Sequence, residues 1–302
     1  MKQTTADGLM FLITLIWGFT FIFTKIGIDY TNESLFVLLR FGIALLLLLI
    51  VFNKRLFYLN QNTIKQGLVL GFFYAGGFIL QTYGLKLTTV PKSAFITGLA
   101  VPFVPFVYWI LVRKKVEIFS KIGVFVASVG LWLFTNPDIN DLNLGDVLTL
   151  FSTVFWAFYI TYMDIYTKNK VGTEYTAQLV FLQFISLVAI SLFSFLIFDL
   201  KNFFLELHPN LIYAVLYNGI IASFALTFIH TAYQRFTTPV KAALIFSLEP
   251  VVASVASIFI FNSVFSLREI IGAIIMFSGV ITSEIGPLIF KNISPKARSD
   301  NA

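Results

Sequence analysis

Apolar residues in this chain come in long unbroken runs, with polar and charged residues gathered in the short gaps between them. Ala44 to Phe52, for example, is apolar at every position. Ten such stretches predict helices at 8–28, 34–52, 65–86, 91–112, 119–135, 145–166, 176–198, 211–233, 240–261 and 268–290. Each has roughly 17–23 residues, enough to cross a hydrocarbon core of about 30 Å at a rise of 1.5 Å per residue. A helix satisfies its own backbone polar groups in lipid, which an open sheet does not. A β-barrel needs strands that alternate apolar and polar over about ten residues, and runs such as Ala44–Phe52 do not alternate. The expected fold class is therefore an all-α integral membrane protein with ten transmembrane helices. The first stretch runs apolar from Leu9 to Phe23 with only Lys2 before it and no A-x-A site after it, so it reads as a permanent span and not a cleaved signal.

Composition agrees. With 58% hydrophobic and 12% charged residues, a soluble domain of 302 residues could not cover its surface. The absence of cysteine excludes disulfides, thiolate metal sites and cysteine nucleophiles. A net charge of +6 raises the question of nucleic acid, but the basic residues lie in loops between apolar runs, which is a topogenic pattern. With the N-terminus in the cytoplasm, fifteen Lys and Arg fall on the cytoplasmic side. These include Lys54, Arg55, Arg113, Lys114, Lys115, Lys168, Lys170, Arg235 and Lys241. Only five, Lys25, Lys86, Lys92, Lys201 and Arg268, fall on the other side, together with the acidic loop Asp138, Asp141 and Asp146. The expected placement is the plasma (inner) membrane, multi-pass, with both termini cytoplasmic and a basic tail at 291–302.

The two halves of the chain resemble each other. Thr88-Thr-Val-Pro-Lys-Ser-Ala-Phe reads against Thr237-Thr-Pro-Val-Lys-Ala-Ala-Leu, and Leu99-Ala-Val-Pro102 against Ser247-Leu-Glu-Pro250. Gly123 and Gly130 match Gly272 and Gly279; Trp17-Gly18 matches Trp156-Ala157; Arg40-Phe41 matches Gln183-Phe184. Their common order indicates a duplicated five-helix unit, 1–137 and 138–290. Because five is odd, the second unit enters the membrane from the opposite side. Inverted repeats of this kind recur in secondary transporters, with the substrate near the midplane between them.

With these motifs in order, Trp-Gly in the first span, Arg-Phe in the second and Leu248-Glu-Pro-Val in the ninth, the chain resembles the EamA branch of the drug/metabolite transporter superfamily over nearly its whole length. The resemblance implies a ten-helix basket whose cavity is formed mainly by spans 1, 3, 4, 6, 8 and 9. It also implies movement of an amino acid, a related metabolite or a drug-like compound by alternating access, with export as the expected direction. The sequence departs from twofold symmetry where Val101-Pro102 stands opposite Glu249-Pro250, so Glu249 has no acidic twin.

Polar groups inside a span are costly and are functional candidates by default. Glu249, in mid-span beside a proline, suggests a partner for a cationic group or a proton carrier; its bland alternative is a bond to a carbonyl freed by the Pro250 kink. Arg40 suggests a structural role, snorkelling to the interface or pairing with helix-end carbonyls. Ser223, Thr227, His230 and Gln234 share one face of span 8, and His230 is a candidate proton shuttle. Tyr74, Phe78 and Gln81 share a face of span 3, with Gly67 and Gly71 allowing close helix approach. Trp17 and Phe21 in span 1, Trp156 and Tyr159 in span 6, and Thr97 with Ser93 in span 4 complete the candidates for substrate binding. Aromatic rings there can clamp apolar or cationic groups. Lacking a Walker A loop, H-E-x-x-H and G-x-S-x-G, the chain is not expected to be an enzyme or to need a cofactor. A lipid or lipid-linked headgroup flippase is the nearest rival, a membrane-embedded enzyme a more distant one. The expected partners are a small-molecule substrate, the lipid bilayer and, as candidate coupling ion, protons; no nucleic acid is expected.

Overall fold

The computed structural model of the protein describes residues 3–135, 143–168, 170, 172–261 and 266–293. Among them the chain forms ten helical segments, and its one extended pairing is an isolated bridge between Thr31 and Leu205. We number them α1 (Gln3–Gly27), α2 (Glu33–Phe52), α3 (Gln61–Leu87), α4 (Val90–Val112), α5 (Ile118–Thr135), α6 (Leu144–Thr167), α7 (Thr173–Asn202), α8 (Pro209–Phe236), α9 (Pro239–Ile260) and α10 (Leu267–Ile293). Eight of these, all but α5 and α10, are long and apolar enough to cross a membrane, and the apolar part of α5, Ile118–Phe134, is shorter. Side chains such as Leu46, Ile50, Phe106, Phe125, Phe193 and Ile274 stand largely exposed around the rim, as lipid-facing residues do. The protein is an all-α membrane protein.

Several helices run past the apolar stretches that predict them. Helix α1 begins at Gln3 and takes in Asp7, α3 begins at Gln61, and α10 continues to Ile293, so residues 291–293 are helical and not tail. A helix has no reason to stop where the hydrocarbon stops, because its polar turns remain bonded in the headgroup layer. Asp138, Asp141 and the chain beyond 293 lie outside the described residues.

Helix starts follow local capping chemistry. Asn60 accepts from the Thr63 N–H, Thr89 from Lys92, Thr238 from Lys241, and Asn143 forms a reciprocal capping box with Asp146. Pro91 and Pro239 sit in the first turns of α4 and α9, where a missing N–H costs nothing. Both of these helices are interrupted. Helix α4 breaks after Gly98 and resumes at Ala100, and α9 breaks after Phe246 and resumes at Glu249. Pro102 cannot bond the carbonyl of Gly98, nor Pro250 that of Phe246, so each break is written by a proline four residues on. Helix α8 widens to π geometry over Tyr217–Ala225.

Helix α3 packs on α6 and α7, α8 on α1 and α2, α4 on α6, α9 on α1, and α5 on α10; the interrupted α4 and α9 also meet. The α5–α10 pair is close because of four glycines. A Cβ at Gly123 would lie 2.7 Å from the Gly279 carbonyl oxygen, and one at Gly130 would lie 2.8 Å from that of Gly272. Polar contacts gather at the two ends of the bundle. One end, the near face, holds the start of α1; the other, the far face, holds the α1–α2, α3–α4 and α7–α8 turns.

Candidate functional site

Between the halves lies a cavity of about 70 Å³ walled by α1, α2, α3, α4, α6, α8 and α9. That is room for about five waters. Ten of the residues singled out above reach its wall: Trp17, Phe21, Tyr74, Phe78, Gln81, Thr97, Trp156, Tyr159, His230 and Glu249. Sequence periodicity brings them together because each pair or triplet occupies one helix face turned to the same axis. Thr227 does not reach the wall. Its hydroxyl pairs with the Tyr74 hydroxyl at 2.6 Å, so it orients Tyr74 from behind.

The wall is built in layers of support. Tyr74 stacks on Tyr159 with ring centroids 4.5 Å apart, and Phe78 meets Trp156 edge-on at 4.8 Å. The Tyr159 hydroxyl donates to Gln183 at 2.9 Å. The Trp17 indole N–H donates to the Ala222 carbonyl at 2.9 Å, within the π-helical stretch of α8. Widened turns of this kind free backbone acceptors and are frequent at functional sites. On α4, Gln81 donates to Thr97, whose own hydroxyl is given to the Ser93 carbonyl one turn back.

Arg40 corrects a sequence expectation. Its side chain is 3% exposed and neither snorkels nor meets helix-end carbonyls. Nε donates to Ser223 at 2.7 Å, and the guanidinium lies over the Phe78 ring at 4.4 Å and near Phe41 at 5.0 Å. It reaches the cavity, and its Nη2 has no hydrogen-bond partner among the described residues. Charge inside a span was the signal that marked it; what sequence could not supply was the direction in which it points. Thr20, Phe246 and Ser247 also line the cavity and were not anticipated.

The unspent polar groups are the informative ones. Buried polar atoms in folded proteins are nearly all paired, so each exception calls for a reason. Beside Arg40 Nη2, the Trp156 indole N–H and His230 Nδ1 lack partners among the described residues, while His230 Nε2 is taken by Gln234 at 2.9 Å. Glu249, first residue of the resumed α9, has a carboxyl with no hydrogen bond or ion pair among the described residues, a freed carbonyl included. Among the described residues no group of three His, Cys, Asp or Glu is placed to hold a metal. The site thus offers a guanidinium, a carboxyl, the indole donor of Trp156 and the Nδ1 acceptor of His230 within an aromatic wall.

On the far face, Lys25 donates to the carbonyls of Leu85, Lys86 and Thr88 at 2.9–3.2 Å, tying α1 to the α3–α4 turn. Lys92 pairs with Asp146 at 2.7 Å, tying α4 to α6. On the near face, Tyr175 bonds Gln66 at 2.8 Å and Gln178 bonds the carbonyls of Arg55 and Tyr58 at 3.1 Å.

Comparison with known proteins agrees with this arrangement. A crystal structure superposes with a TM-score of 0.73 over 93% of this chain and 98% of the other at 15% identity, a likeness of fold. An uncharacterized transporter of Archaeoglobus fulgidus is 28% identical over 281 residues, 93% of this chain and 86% of its own length. The uncharacterized transporter YyaM of Bacillus subtilis is 23% identical over 94% of both chains. The model of the EamA-like transporter family matches residues 4–136 and 143–283. The chain belongs to the EamA-like transporter family.

Proposed function

We propose that this transporter moves a small zwitterionic solute, of the α-amino-acid type, across the plasma membrane by alternating access, with net movement outward. The observation that carries the reading is the pair Arg40 and Glu249. They are a basic and an acidic side chain on one cavity wall, and neither is engaged in an ion pair among the described residues. A carboxylate taken by Arg40 and an ammonium taken by Glu249 would complete both, and charge-assisted bonds are the strong ones in a dry site. Trp17, Tyr74, Phe78 and Trp156 would enclose an apolar or aromatic side chain. A cavity of about 70 Å³ is too small for such a solute, so binding belongs to a wider state. The division at 1–137 and 138–290 as inverted repeats is supported by two segments of family match that separate in the same place. The cross-pairing of equivalent glycines in α5 and α10 supports it too. Protons are the proposed coupling ion, carried by the Glu249 carboxyl.

The test is uptake by proteoliposomes of a panel of radiolabelled amino acids, amines, carboxylates and short-chain lipids, with and without a pH gradient. Saturable uptake of zwitterions above singly charged analogues is expected. Movement of lipids alone would favour the flippase reading instead.

A further inference from the structure

The far-face tie between α4 and α6 has three members. Asp146 accepts from Lys92 at 2.7 Å and from the Thr88 hydroxyl at 2.8 Å, and both of its oxygens are engaged. The repeat places a second set of the same residue types on the near face. Lys92 corresponds to Lys241 and Thr88 to Thr237, through the matched Thr-Thr-x-x-Lys segments that cap α4 and α9 in the same way. Counting back ten residues from the matched tryptophans, Trp156 leads to Asp146 and Trp17 leads to Asp7.

This register is fixed by contacts and not by sequence alone. The Thr153 hydroxyl of α6 bonds the Ile96 carbonyl of α4 at 3.0 Å. Its counterpart, the Thr14 hydroxyl of α1, reaches the Ile245 carbonyl of α9, the position equivalent to Ile96, at 3.5 Å. The α1–α9 contact therefore repeats the α6–α4 contact at this pair, with a longer hydrogen bond. It differs at the end of the helices. Asp7 Oδ1 and Thr237 Oγ1 are both buried and both without a partner among the described residues, where Asp146 and Thr88 are joined. Lys241, one turn from Thr237, is buried as well. Two orphaned atoms at the two positions that the first cluster fills are a site awaiting its closed form.

We infer that Asp7, Thr237 and Lys241 form a second gate cluster, which ties α1 to α9 on the near face in the state where the Thr88–Lys92–Asp146 cluster on the far face has come apart. The inference rests on the alternating-access reading. In the present structure the far gate is made, while Asp7 Oδ1 and Thr237 Oγ1 of the near gate are not joined. The two clusters would then alternate, and each would set the population of one state by the stability of its ion pair.

The chain has no cysteine, so one introduced at the cavity wall reports access directly. Thr20→Cys, labelled with a membrane-impermeant maleimide in right-side-out and in inverted vesicles, gives a ratio of near-face to far-face access. On that background Asp7→Asn is expected to raise the ratio about fivefold, the shift expected from losing one partly buried ion pair. Lys241→Gln should move it the same way, Asp146→Asn the opposite way, and the exchange Asp7→Lys with Lys241→Asp should bring it back towards the parent. If Asp146→Asn shifts the ratio while Asp7→Asn and Lys241→Gln do not, the near gate is refuted and alternating access stands. If Thr20→Cys is labelled from one side only in every variant, both are refuted.

Discussion

Arg40 and Glu249 are ionisable side chains in a membrane interior, where a charge costs about 2.5–3.5 kcal/mol to insert on biological scales. Neither is in an ion pair among the described residues, which is the physical case for a ligand that supplies the partner. Replacing Glu249 by Gln keeps the shape and one acceptor but removes the charge. Normal membrane insertion and thermal stability are expected, with transport of zwitterions falling at least about tenfold, since a charge-assisted bond contributes about 1.5–3 kcal/mol. Transport rates equal to the parent would show that Glu249 only shapes the Pro250 break. The complementary change, Arg40→Gln, should weaken competition by carboxylates and zwitterions while leaving simple amines less affected; equal loss for all three would make Arg40 a packing residue held by Ser223 and Phe78. These two residues also mark how far sequence reaches. That both lie inside spans is legible from hydropathy alone. That Arg40 turns inward and lies on Phe78 depends on where α8 presents Ser223, which rests on a π-helical stretch with no sequence signature of its own.

At the scale of elements, the helices were legible because lipid demands long apolar runs, and the interruption in α9 because Pro250 deletes a hydrogen bond; that in α4 has the same cause at Pro102 but was not anticipated. The ends were less so. Asp7 falls within α1 because a helix can extend into the headgroups, and hydropathy says nothing about that extension. The glycines of α5 and α10 were visible as matched pairs, but the contact between them was not. Its tightness gives a stability prediction. A Cβ at Gly279 would lie 2.7 Å from both the Ala127 nitrogen and the Gly123 carbonyl oxygen, and both are backbone atoms that cannot swing aside. Gly279→Ala should therefore separate α5 from α10 and destabilise the protein by about 1–3 kcal/mol, the usual cost of overpacking. A melting temperature in detergent that matches the parent would mean the pair is less tightly held than it is drawn. The aromatic wall, by contrast, needed only helix periodicity: Tyr74, Phe78 and Gln81 face the cavity because they lie three and four residues apart.

Over the whole molecule, the basic asymmetry of fifteen to five supports the proposed placement of the near face in the cytoplasm. Cysteine at Lys201, in the last turn of α7 on the far face, should react with an impermeant maleimide added to intact cells, and cysteine at Lys114, between α4 and α5, should not; the reverse would invert the proposed topology. Substrate identity was not legible in the sequence, because the family's motifs, Trp-Gly, Arg-Phe and Glu-Pro, describe the frame and not the cargo. What the fold adds is a cavity between two halves, with α4 tied to α6 on the far face through Lys92 and Asp146. An alternating-access carrier, as proposed here, can exchange labelled for unlabelled solute across the membrane. The most direct measurement is therefore counterflow. Proteoliposomes loaded with an unlabelled zwitterionic amino acid should accumulate the labelled compound transiently above its outside concentration, and the overshoot should vanish in Glu249→Gln and Arg40→Gln. Uptake that rises without saturation and shows no overshoot would contradict an alternating-access carrier built on this site.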